Sequence, residues 1–176
     1  LVQERLLANK DLTGEVPVPV EGTVMPDSYA YQKGETRAAV LKRMQDAMER
    51  FLTAQWAKRG GDLVVKSPQE AIILASIVEK ETSVAEERPR VAGVYGNRLR
   101  TGMMLQADPT IIYPLTKGKP LGRRIRKSEI AAVNDYNTYA MTGLPKGPIA
   151  NPGRSSIEAV LNPLKTRDLY FVADGK

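Results

Sequence analysis

The residues best suited to chemistry stand together at Glu79-Lys80-Glu81-Thr82, directly after the apolar run Ala71-Ile72-Ile73-Leu74-Ala75-Ser76-Ile77-Val78. An ionisable group at the end of an apolar helix is costly unless it has a partner or a use. Helical spacing puts Glu79 on one line with Ile72, Ala75, Ser76, Thr82 and Ser83. The small side chains on that line leave room beside the carboxyl for a ligand, and apolar surroundings would keep it protonated near neutrality. A general acid for glycosidic cleavage needs that property. Glu81 points roughly the opposite way, along Leu74 and Ile77. The plainer reading is that both glutamates pair with Lys80, Arg88 or Arg90 at a charged helix end.

Two further segments carry candidate groups. Leu105-Gln106-Ala107-Asp108-Pro109-Thr110 offers an amide and a carboxylate, although Asp108 before Pro109 also reads as a simple turn initiator. Asn137 stands with Tyr136 and Tyr139. Amide and phenol groups beside apolar rings suit sugar hydroxyls and N-acetyl groups, and equally suit a loop anchor packed into a core. A basic run follows Lys117, with Lys119, Arg123, Arg124, Arg126 and Lys127. It reads as a solvated loop or as a contact for an anionic polymer. No aromatic residue interleaves with it, so single-stranded nucleic acid gains little support as a partner.

Composition narrows the chemistry. The 176 residues include no cysteine and no histidine, which removes thiolate nucleophiles, Ser-His-Asp triads and the usual metal ligands. Carboxylates are left as the proton carriers, and neither metal nor cofactor is expected. The formal charge of +6 weakly favours an anionic partner. No window approaches the roughly 18 apolar residues of a membrane span. The chain opens on Leu1, and Leu169 to Lys176 reads as a strand entering a hairpin turn without its return strand. The expectation is a piece of a longer protein.

The elements that must position these groups are mainly helical. Val40, Leu41, Met44, Met48, Phe51, Leu52 and Trp56 predict a helix over 35–58, stopped by Gly60-Gly61. Ser67-Pro68-Gln69-Glu70 is a strong helix start and leads into the apolar run, which must be buried on most sides. A third helix is expected over 89–100 and a short one from Ser156 to Leu161. Val16-Pro17-Val18-Pro19-Val20 reads as an extended connector or edge strand. Residues 101–154 are rich in glycine and proline and are expected to form the cleft. The whole reads as an α+β, helix-rich domain with a small sheet and the Glu79 helix at its centre.

Several long motifs carry a resemblance. Leu74 to Thr82, Asn97-Arg98-Leu99, Leu105 to Tyr113, Tyr136-Asn137-Thr138-Tyr139, Gly143-Leu144-Pro145, Pro148 to Gly153 and Tyr170 to Gly175 resemble the endolytic murein transglycosylases of the MltG (YceG-like) family. The likeness runs in order from about residue 21, where Glu21-Gly22 and Pro26-Asp27-Ser28-Tyr29 resemble the start of the family's catalytic domain. It implies a lysozyme-like catalytic core over 22–176, truncated at its C-terminus. Residues 1–21 would be a connector from a truncated LysM-like subdomain. It implies a bacterial inner-membrane anchor of one helix outside this chain, with the catalytic part in the periplasm. The activity implied is a lyase reaction that cuts peptidoglycan strands between N-acetylmuramic acid and N-acetylglucosamine, leaving 1,6-anhydro ends. The first glutamate of the Glu-Lys-Glu-Thr motif, here Glu79, is the implied catalytic acid/base. Gln106, Tyr113, Asn137 and Tyr139 are expected to position the sugar, with Glu81 and Asp108 orienting or supporting Glu79. Partners would be peptidoglycan strands and cell-wall synthesis enzymes. Two other readings stay open: a hydrolase using Asp108 or Glu81 as second carboxylate, and a non-catalytic peptidoglycan-binding scaffold.

Overall fold

In the computed structural model, which describes residues 1–172, the chain forms seven α-helices. They are α1 (Val2–Ala8), α2 (Arg37–Ala57), α3 (Pro68–Glu81), α4 (Arg88–Arg100), α5 (Asp108–Thr116), α6 (Lys127–Ile130) and α7 (Arg154–Leu161), with a 3-10 turn at Ala85–Glu87.

The centre is α3. Ser67 Oγ accepts from Glu70 N at 3.1 Å, and Pro68 occupies the first turn, where its missing N–H costs nothing. The Glu70 carboxylate reaches back to Lys66 N at 2.6 Å. Ala71, Leu74, Ala75, Ile77 and Val78 are all buried, because α7, α4, α5 and α2 surround the helix. Burial of side chains such as Leu74, Ile77 and Val78 stabilises by about 1.5–3 kcal/mol each. That packing orders the helix end where both glutamates stand.

The long helix α2 links two apolar clusters. Its Met48 belongs to the main core with α3, α4 and α7. Its Val40 and Leu41 join Leu6, Leu12, Val16 and Val24 in a smaller cluster. Residues 1–21, expected as a connector, therefore contain a helix and buried side chains. Arg37 fastens them, donating to Leu6 O at 2.8 Å, Gly14 O at 2.8 Å and Asn9 O at 3.0 Å. The seven-residue α1 buries only Leu6, too little to make a periodic pattern.

The expected small sheet is not formed among the described residues, where an isolated parallel bridge, Thr13 to Thr36, is the strand-like pairing. Val16 to Val20 is not a strand, since Pro17 and Pro19 have no N–H to offer a ladder. Of the expected terminal strand, Leu169 to Val172 lies over α4 on side-chain bonds, and residues 173–176 fall outside the described residues. Asn97 Nδ2 donates to Thr166 O at 2.8 Å and Asp168 O at 2.9 Å, and Arg98 Nε to Leu169 O at 2.7 Å. Gly93 permits this strap to cross: a Cβ there would stand 2.5 Å from Leu164 O.

The 101–154 region holds α5 and α6 between its loops. Asp108 begins α5 and is not an isolated turn. Among the described residues no helix is long and apolar enough to cross a membrane.

Candidate active site

The two glutamates at the end of α3 meet opposite surroundings. Glu79 Oε2 accepts from Ser156 Oγ at 2.5 Å and from Gly153 N at 3.0 Å. Its Oε1 lies 3.7 Å from Arg88 Nη2. The carboxylate thus ties the C-terminal end of α3 to the N-terminus of α7, where the backbone amides favour a negative charge. Arg88 also bonds Ser155 Oγ, so both anchors of Glu79 are cross-linked.

The apolar surroundings expected for Glu79 are therefore absent. The small residues on its helical line do make room, but the protein's own chain fills it. Ile149 N donates to Ser76 Oγ at 3.0 Å, and the following residues carry Gly153 and Ser156 to Glu79. The pairing reading holds for Glu79, with Arg88 as the partner.

Glu81 has the desolvated position instead. Its Oε2 is buried without a hydrogen-bond partner among the described residues. Burial, and secondarily the Asp108 charge, push its pKa above the ordinary carboxylate value, against the opposing effects of Tyr95 and Arg98. Tyr95 is fully buried under the strap, with Phe171 edge-on at 5.7 Å between ring centroids. Burial and the neighbouring Glu81 keep the Tyr95 phenol protonated far above its usual range. Arg98, also buried, donates from Nη1 to Leu105 O at 2.6 Å and lies 5.1 Å from the Tyr170 ring centroid.

Asp108 and Tyr139 complete this cluster. Tyr139 donates its hydroxyl to Asp108 Oδ1 at 2.6 Å, and its own pKa is pushed up to about 12 by burial and by that bond. A pair of buried threonines holds the two segments together. Thr110 and Thr138 share a hydroxyl bond at 2.8 Å, Ala107 N donates to Thr138 Oγ1 at 3.0 Å, and Thr138 N to Thr110 Oγ1 at 3.1 Å. Gln106 is exposed beside them, with φ of +51°. A non-glycine residue in that region carries strain, which persists only where surrounding structure enforces it. Here Gln106 N is held by Thr138 O at 3.1 Å.

Asn137 does not reach this rim. It is fully buried, its Nδ2 donating to Ala132 O at 2.7 Å and Ile130 O at 2.9 Å, its Oδ1 accepting from Tyr139 N at 3.0 Å. Its amide is consumed by the loop, so Asn137 supports Tyr139 and has no group left for a sugar. Tyr113 packs on Tyr136 at 5.1 Å between centroids, with Lys117 Nζ 5.4 Å from its ring centroid. With Lys80 and Ile149 it lines a hollow at the end of α3.

The structure thus brings Glu81, Asp108 and Tyr139 together, sets Gln106 at their edge, and holds Glu79 on the opposite face of α3, bonded to the start of α7. Sequence reasoning gave no role here to Tyr95, Arg98, Ser156 or Thr138. Arg98 had a signal, since an arginine three residues after Tyr95 falls on the inward line of α4. The basic run is partly spent on structure: Arg123 pairs with Glu129, whose carboxylate also accepts from Arg126 N at 2.7 Å and caps α6. A cavity of about 620 Å³ lies elsewhere, between α4 and residues 160–166. Asp62 is its acidic side chain, and it holds no paired carboxyls.

Comparison with known proteins gives a consistent family. A model of the YceG-like family matches residues 2–176. The endolytic murein transglycosylase of Bacillus subtilis (strain 168) is 35% identical over 156 residues, covering 88% of this chain and 42% of the relative. The protein of the same name from Streptococcus pneumoniae serotype 2 is 35% identical over 161 residues, covering 88% of this chain and 28% of the relative. The chain thus spans less than half the length of these relatives. A crystal structure of a yceG-like protein from Listeria monocytogenes superposes with a TM-score of 0.71 at 31% identity, covering 98% of this chain and 54% of that one.

Proposed function

The chain belongs to the YceG-like family, and from that premise we propose that it cleaves the glycan strands of peptidoglycan as a lytic transglycosylase, with Glu79 as acid/base and Glu81, beside Asp108, as its support. The observation that supports this reading is the Glu79 carboxyl at the end of α3, 26% exposed and oriented by Ser156 Oγ and Gly153 N. A proton donor must lie within hydrogen-bond reach of the glycosidic oxygen, which the buried Oε2 of Glu81 does not offer.

In this reaction the protonated Glu79 transfers its proton to the glycosidic oxygen as the bond from muramic C1 breaks. The resulting carboxylate takes the proton from the muramic C6 hydroxyl, whose oxygen closes on C1 to form the 1,6-anhydro ring. One carboxylate serves both steps, so no water and no second base are consumed. Asp108, bonded to Tyr139, is the charged neighbour that adds to burial in raising the Glu81 pKa. Tyr139 and Gln106 line the rim on which the sugar is positioned.

The finer implications of the resemblance belong to the same proposal. These are a lysozyme-like core, a preceding LysM-like subdomain, a membrane anchor and a periplasmic site beside the wall-building enzymes. Mass spectrometry of products from purified glycan strands tests the reaction. Anhydro-muramic ends, lighter by one water than hydrolysis products, are expected; reducing ends would replace the lyase with a hydrolase.

A further inference from the structure

Two hollows of about 200 and 350 Å³ flank the C-terminal end of α3 and share Lys80, Gly118 and Ile149. The smaller is walled by Pro109, Ile112 and Tyr113 of α5, so it starts one residue from Asp108. The larger continues past Lys117 to Arg5 and Glu21.

The groove is cationic over an apolar floor. Arg5, Lys80 and Lys117 have no carboxylate within ion-pair distance among the described residues, whereas Lys119 is committed to Glu4 at 2.9 Å. Glu21 is the acidic side chain on this wall. Its Oε1 is bonded by Asn151 Nδ2 at 2.9 Å, and burial favours its neutral form. The balance therefore favours an anionic ligand. Ile112, Ile149 and the Tyr113 ring supply a floor for aliphatic groups.

A sugar ring asks for hydroxyl partners, which these walls do not concentrate. The peptide branches of a murein strand combine several carboxylates with alkyl side chains, and they leave the strand beside the bonds that are cut. We propose that this groove binds the acidic peptide branch of a muramyl residue next to the cleaved bond, with Lys80 and Lys117 as the carboxylate contacts. The inference rests on the proposed murein substrate and adds the part of it that is recognised outside the cleavage centre.

The test is a binding measurement, so it does not depend on cleavage. Glycan strands bearing their peptides are compared with the same strands stripped by an amidase, which keep one lactyl carboxylate per muramyl unit. The Glu79→Gln protein is used so that strands stay intact. It is expected to bind peptide-bearing strands roughly tenfold more tightly than stripped ones. Adding Lys80→Gln and Lys117→Gln should erase that preference, with binding of stripped strands and the melting temperature unchanged. Equal affinity for both strands overturns the proposal, as does an equal loss on both in the lysine variant, which would assign these cations to the glycan or to the lactyl group. Cleavage of stripped strands by the wild-type protein reports separately on the lytic reaction.

Discussion

Glu79 and Glu81 stand two positions apart on α3, yet Glu79 accepts from Ser156 Oγ at 2.5 Å and Gly153 N at 3.0 Å while Glu81 Oε2 is buried with no partner among the described residues. The difference follows from helix geometry. Two residues rotate the side chain by about 200°, from the face covered by the start of α7 to the face covered by α4 and the start of α5. One carboxylate stabilises the fold and the other is a cost that the fold carries.

Substitution should separate the two roles through stability. Glu79→Ala removes two hydrogen bonds and leaves Arg88 unpaired, so it is expected to cost about 2–3 kcal/mol in denaturant unfolding. Glu81→Gln replaces a desolvated acid by a neutral isostere and is expected to gain up to about 1 kcal/mol at neutral pH. Equal destabilisation by the two changes would contradict the assignment.

The pH dependence has a definite sign. Glu81 has a raised pKa in the folded protein, so the native state keeps a proton that the unfolded chain has already released. Its effect is absent below the unfolded carboxylate pKa, and stability falls as pH rises from there to the folded pKa. Glu81→Gln should remove that slope from unfolding curves taken upward from the ordinary carboxylate range, about pH 4. Asp108→Asn removes a charge that raises the Glu81 pKa, so it should bring the alkaline end of the slope to lower pH. A slope whose alkaline end stays in place would mean Asp108 does not act on Glu81.

Much of the frame was legible in the sequence. Ser67-Pro68-Gln69-Glu70 marked the start of α3 to the residue, and the all-round apolar run marked its burial, because capping and periodicity are local properties. Which glutamate is desolvated was not legible. It depends on Ser156 and Gly153, more than seventy positions away along the chain, closing over one face of α3. The small residues Ala75 and Ser76 signalled close approach correctly, but the approaching group is chain rather than ligand. The absent sheet has a similar cause: the Leu169 to Val172 segment has strand-like residues but finds helix α4 as its partner, through Asn97 and Arg98.

Asn137 is expected to matter through the loop it holds. Asn137→Ala would leave the carbonyls of Ile130 and Ala132 and the amide of Tyr139 without their buried partner. The expected cost is about 2–4 kcal/mol, with KM for glycan rising as Tyr139 loosens. Wild-type stability in this variant would show that the loop is held by other contacts.

Gly93→Ala tests the strap that covers Tyr95. Its Cβ would meet Leu164 O at 2.5 Å, and a backbone oxygen cannot move aside as a flexible side chain can. A loss of about 1–3 kcal/mol is expected, with increased amide exchange over 164–172. Unchanged exchange there would show that Asn97 and Arg98 alone fix the strap.

The most direct test compares Glu79→Gln and Glu81→Gln by single-turnover cleavage of purified glycan strands, with folding of each variant checked by its melting temperature. Glu79→Gln is expected to abolish formation of anhydro-muramic ends in a folded protein, while Glu81→Gln keeps measurable cleavage. An active, folded Glu79→Gln protein beside a folded, inactive Glu81→Gln protein would contradict this and move the acid to Glu81.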